Sequence, residues 1–69
     1  MKKTIIIEGM SCEHCEMHTE KELEKIDGVT SAEADANQGQ AVVKLEKEVA
    51  ESEFKAAVEE AGYNYIKTI

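Results

Sequence analysis

The periodicity of apolar positions changes repeatedly along the chain, and each change predicts an element. Thr4 to Glu8 is a β-branched run closed by Gly9, which reads as a buried strand. From about Glu16 to Ile26 the composition turns to Glu, Lys and Leu, with Thr19, Leu23 and Ile26 spaced i, i+4, i+7. That spacing puts one apolar stripe on a helix, and Asp27-Gly28 supplies its stop. Val29 to Ala36 then alternates, Ala32, Ala34 and Ala36 on one side and Glu33 and Asp35 on the other. Asn37-Gln38-Gly39-Gln40 forms a turn, and Ala41, Val43 and Leu45 mark the inward side of a returning strand. From about Glu51 to Ala61 the stripe Phe54, Ala57, Val58, Ala61 predicts a second helix, its N-cap falling on the weakly capping Ala50. Gly62 ends it, and Tyr63-Asn64-Tyr65-Ile66 resumes an extended pattern.

The order βαββαβ predicts an α+β, ferredoxin-like sandwich: a four-stranded antiparallel sheet with two helices on one face. With no proline, linker or repeat, residues 1–69 read as a single domain. A domain of 69 residues buries only about 60% of its unfolded surface, so its chemistry belongs at the surface and not in a deep cavity.

Charge narrows the partners. Fifteen acidic residues against eight basic ones give a formal charge of −7, with no lysine cluster visible along the chain. Nucleic acid and anionic membranes are therefore poor partners, and a cation or a basic protein face a good one. Met1-Lys2-Lys3 precedes only Ile5-Ile6-Ile7, far short of the apolar run of about 7–15 residues that a secretion signal needs. No window approaches the roughly 18 apolar residues of a membrane span, so no membrane insertion is expected and the chain reads as soluble and cytoplasmic.

Both cysteines and both histidines fall within Cys12-Glu13-His14-Cys15-Glu16-Met17-His18, at the handover from the first strand to the first helix. So many soft and borderline ligands in one loop point to a metal site. Two thiolates separated by two residues can converge on one ion, and thiolate selects Cu(I), with Zn²⁺ and other thiophilic ions as rivals. Cu(I) accepts a pair of sulfurs, whereas structural Zn²⁺ wants four ligands. The helix N-terminus favours thiolate at Cys15, while Glu13 and Glu16 oppose it. His18 and Met17 read first as solvated helix residues, with roles as additional ligands left open. A dithiol oxidoreductase of the thioredoxin kind needs a larger domain and a cis-proline, and the chain has no proline.

Gly9-Met10-Ser11-Cys12-Glu13-His14-Cys15, followed by Gly28-Val29 and Gly62-Tyr63, resembles the heavy-metal-associated (HMA) domain family across essentially the whole chain. That family comprises cytosolic copper chaperones, metal-binding domains of heavy-metal P-type ATPases, and bacterial mercury carriers. The resemblance implies Cys12 and Cys15 as Cu(I) ligands, Met10 as a buried anchor of the loop, and His14 and Tyr63 beside the site. It is strongest to the bacterial cytosolic copper chaperones. Ser11 stands where zinc- and cadmium-pumping relatives often carry an acid. Glu16 and Thr19 replace residues usually apolar in the family, and Ala32, Ala34 and Ala36 replace larger aliphatics.

The expectation is a non-enzymatic Cu(I) carrier that passes its ion to a partner dithiol, such as that of a copper-transporting P-type ATPase, with a metal-linked dimer as a further possibility. Met1-Lys2-Lys3 and the end just past the fourth strand suggest a free-standing chaperone; an excised ATPase domain would read nearly identically. A mercury or zinc carrier is the other alternative.

Overall fold

The computed structural model describes residues 1–11 and 13–69, so Cys12 lies outside the described residues. Its elements are β1 (Lys2–Glu8), α1 (Glu13–Glu24), β2 (Val29–Asp35), β3 (Gln40–Leu45), α2 (Glu51–Glu60) and β4 (Asn64–Thr68). The strands form one antiparallel sheet in the order β2-β3-β1-β4, which is the ferredoxin-like arrangement expected from the βαββαβ pattern.

Register follows the pleat. Ile5 pairs with Ala41 and Lys3 with Val43, so Ile5, Ile7, Ala41 and Val43 fall on one side. Ile5, Ile7, Ala32, Ala41, Val43 and Leu45 line the inner face, and Leu23, Phe54, Ala57 and Val58 descend on them from the helices. Phe54 and Ile5 head the fully buried side chains. Ala34 and Ala36 pack against this core from its margin, on the side the alternation assigned them.

β1 begins at Lys2, two residues before the β-branched run, and both ends of α1 differ from the sequence reading. α1 begins at Glu13, three residues before the apolar stripe announces it, because Glu13 and Glu16 in its first turn complement the helix dipole without contributing an apolar face. It ends at Glu24, where Lys25 and Ile26 N–H donate to Glu22 and Leu23 carbonyls, tightening the last turn before Gly28. Gly28 has φ +105°, and a Cβ there would come within 2.9 Å of Lys47 and Val49 side chains. Beside it Asp27 accepts from the Lys47 ammonium and raises its pKa, chiefly through that hydrogen bond.

The acidic surface is also less uniform than the linear sequence suggests. Lys2 stands opposite Lys44 in the β1–β3 register, and both border a shallow depression with Ser31, Glu33 and Val42 on the sheet face turned away from the helices. No helix among the described residues is long and apolar enough to cross a membrane.

Candidate metal site

Gly9 closes β1 with φ +107°, a conformation that turns the chain out of the sheet and that side chains with a Cβ resist. Met10 then enters the core, 8% exposed, while Ser11 stays at the surface. This alternation fixes the direction of the loop before the helix starts. The sequence-predicted ligand Cys12 falls between Ser11 and α1, outside the described residues.

Cys15 is the third residue of α1 and is half-buried, packed against the core on one side. Its Sγ lies 3.8 Å from Ser11 Oγ. The unsatisfied N–H groups of a helix's first turn favour negative charge nearby, the setting in which thiolates bind metals. Glu16, read from sequence as an opposing charge, is turned aside: its carboxylate accepts the Ala36 N–H at 2.7 Å. One turn further, Glu20 accepts the Ala34 N–H at 2.9 Å.

A residue that sequence reasoning placed only in the apolar stripe proves to join the parts of the site. Thr19 is fully buried, its hydroxyl donates to the Cys15 carbonyl at 2.9 Å, and the same oxygen lies 3.4 Å from Met10 Sδ. Thr19 thus touches both the residue that enters the core and the helical turn that carries Cys15. The signal was present as a polar residue on an apolar face three to four positions after a cysteine, the spacing at which threonine bonds back to a helical carbonyl.

The far end of α2 closes the site from the other side. Gly62, φ +98°, follows the C-cap Ala61, with its N–H donating to the Glu59 carbonyl and the Tyr63 N–H to the Val58 carbonyl. These are the paired bonds of a Schellman end. They carry Tyr63 back over the start of the loop, where its Cδ1 would be 3.5 Å from a Cβ on Gly9. Tyr65, by contrast, directs its phenol to Thr68 Oγ1 at 2.6 Å.

His14, Met17 and His18 are exposed on α1, and Met17 and His18 border a shallow groove with Glu20, Lys21 and Glu24. Among the described residues no three His, Cys, Asp or Glu side chains gather as a metal cage.

Comparison with known proteins extends this picture. The heavy-metal-associated domain model matches residues 4–64. A copper chaperone CopZ of Staphylococcus aureus (strain bovine RF122 / ET3-1) is 46% identical over 61 residues, covering 87% of this chain and 90% of the relative. The solved structure of a CopZ metallochaperone superposes with TM-score 0.87 at 40% identity, over 96% of this chain and 100% of that one. The N-terminal domain of a potential copper-translocating P-type ATPase from Bacillus subtilis, solved in the Cu(I)-loaded state, gives TM-score 0.79 at 37% identity, over 93% and 81%. With its strand order, its Gly-Met-Ser-Cys sequence between β1 and α1 and a family match over most of its length, the chain belongs to the heavy-metal-associated domain family.

Proposed function

We propose that this chain is a cytoplasmic Cu(I) metallochaperone, not an enzyme, which carries one copper(I) ion between Cys12 and Cys15 and gives it to a partner dithiol. The partner would be a copper-transporting P-type ATPase or a protein with a similar pair of cysteines. The observation that carries this reading is the position of Cys15: half-buried on the first turn of α1, three residues after a second cysteine, in a chain 46% identical to a CopZ copper chaperone.

The chemistry follows from the ligands. Thiolates bind Cu(I) strongly, and a pair of them leaves room for an incoming sulfur. A partner thiolate adds to the ion, one donor sulfur leaves and takes up a proton, and a second exchange completes the transfer. The ion is never released to water. A closed four-ligand cage would oppose this exchange; a loop at the end of a sheet allows it. Met10, seated in the core, anchors the loop, and Thr19 ties that anchor to the turn bearing Cys15. Tyr63 shields one side, and His14 stands beside the sulfurs on the solvent side.

The similarity to a P-type ATPase N-terminal domain favours a second reading, in which the same site receives copper as part of a pump. The chemistry is shared, and the two differ in which protein is donor.

Anaerobic titration with Cu(I) against a competing chelator tests the proposal. Uptake of one equivalent, abolished in a Cys12→Ala, Cys15→Ala double variant, is expected. No uptake, undiminished uptake by the variant, or displacement of Cu(I) by stoichiometric Zn²⁺ or Hg²⁺ would overturn it. Sedimentation of the loaded protein reports whether the ion links two copies.

A further inference from the structure

Neither imidazole of α1 is used as a ligand in the sulfur chemistry, and the helix puts the two in register. Because α1 begins at Glu13, His14 and His18 both lie within it, four residues apart. Residues so spaced are neighbours on one helical face, with Cβ atoms roughly 5–6 Å apart. Both rings are exposed, and neither is held by a hydrogen bond or ion pair to another described residue.

Imidazole is a borderline ligand that suits divalent late first-row metals, whereas the cysteine pair suits a soft monovalent ion. The surroundings favour a cation: α1 carries five glutamates against Lys21 as its sole lysine, and although Glu16 and Glu20 bond to β2 and Glu22 to Lys25, Glu13 and Glu24 add negative charge at the helix surface. Lys21 borders the same groove as His18 and works against binding, but Glu24 borders it too. Among the described residues no third His, Cys, Asp or Glu joins them, so these supply two ligands and water completes the set.

We propose that His14 and His18 form a second, sulfur-free site on the outer face of α1 that chelates one divalent late first-row cation. By the ordinary order of affinities Cu²⁺ is held most tightly, with Zn²⁺ and Ni²⁺ below it. The two sites would sort metals by class, soft monovalent ions to the sulfurs and borderline divalent ions to the imidazoles. This site does not depend on the copper-carrier reading, because it uses neither cysteine.

The test uses the full chain with Cys12→Ser and Cys15→Ser, titrated with ZnCl₂ near neutral pH and followed by imidazole proton resonances and thermal unfolding. One equivalent is expected to shift both histidines together and to raise the Tm, since binding to the folded helix alone stabilises it. Because losing one arm of a chelate forfeits the high effective concentration of the other, His14→Gln or His18→Gln should each weaken binding at least about tenfold. Should the serine variant fail to fold, the wild-type chain with both thiols alkylated serves in its place. No binding, a shift confined to one histidine, or a smaller loss in either single variant overturns the proposal.

Discussion

Thr19 shows how much one hydroxyl can organise. It is the buried polar side chain of the described residues, and its oxygen touches the Cys15 carbonyl and the Met10 sulfur together. Bonding back to an i−4 carbonyl adds little to helix stability. A buried hydrogen bond is worth about 1 kcal/mol net. Thr19→Val, which keeps the branched shape, should therefore change the stability of the metal-free protein by no more than about 1 kcal/mol in urea denaturation. Thr19→Ala removes volume beside Met10 as well and should cost more, about 1–2 kcal/mol. If both variants cost the same, the hydroxyl and not the packing holds the turn. The hydrophobic stripe predicted that Thr19 faces inward, but not what its oxygen meets there, because that depends on a loop residue nine positions earlier in the chain.

At the level of elements, β2 is an edge strand with its outer N–H groups exposed to pairing by another chain. Here α1 covers them, with Glu20 on Ala34 and Glu16 on Ala36. Periodicity alone reads these glutamates as a solvated helix face, and for most glutamates of the two helices that holds. The exception required knowing that α1 lies along β2. Glu16→Ala with Glu20→Ala should lower stability by about 2 kcal/mol, two partly exposed charge-assisted bonds being lost. Light scattering should show concentration-dependent self-association absent from the parent. The opposite sign is expected at the other helix, where Ala50 has the extended backbone of an N-cap but no side-chain cap bond. Ala50→Ser should add about 1 kcal/mol and raise the Tm by roughly 4–8 °C in a calorimetric scan. That weak cap was legible because cap chemistry is local. The start of α1 was not, because its first turn carries histidine, cysteine and charged residues in place of a stripe.

Across the whole molecule, a thin core and an uneven charge set the behaviour. At roughly 0.05–0.15 kcal/mol per residue, a domain of 69 residues has about 3–10 kcal/mol to lose. Phe54, fully buried, would cost about 3–5 kcal/mol as Phe54→Ala. Circular dichroism should find that variant largely unfolded without metal and refolded by Cu(I), since ligand at a thousand times its Kd adds about 4 kcal/mol. The charge has an equally clear layout. α1 carries five glutamates against one lysine and α2 four against one, so the helix layer accounts for the whole formal −7 while the sheet and loops balance. The molecule measures 30 × 19 × 18 Å. The Debye length of about 30 Å at 0.01 M salt spans it, whereas about 8 Å at 0.15 M does not. At low salt a basic partner face should therefore be steered to the helices, beside the first turn of α1 that carries Cys15, and charge of this kind acts on association rate more than on affinity. Stopped-flow transfer of Cu(I) to a dithiol partner with a basic surface should slow as salt rises between those limits. Glu59→Gln with Glu60→Gln should slow it further at low salt, while Lys44→Gln on the opposite sheet face should not. A transfer rate indifferent to salt, or sensitive to Lys44 and not to the helix glutamates, would mean that the partner approaches by another face.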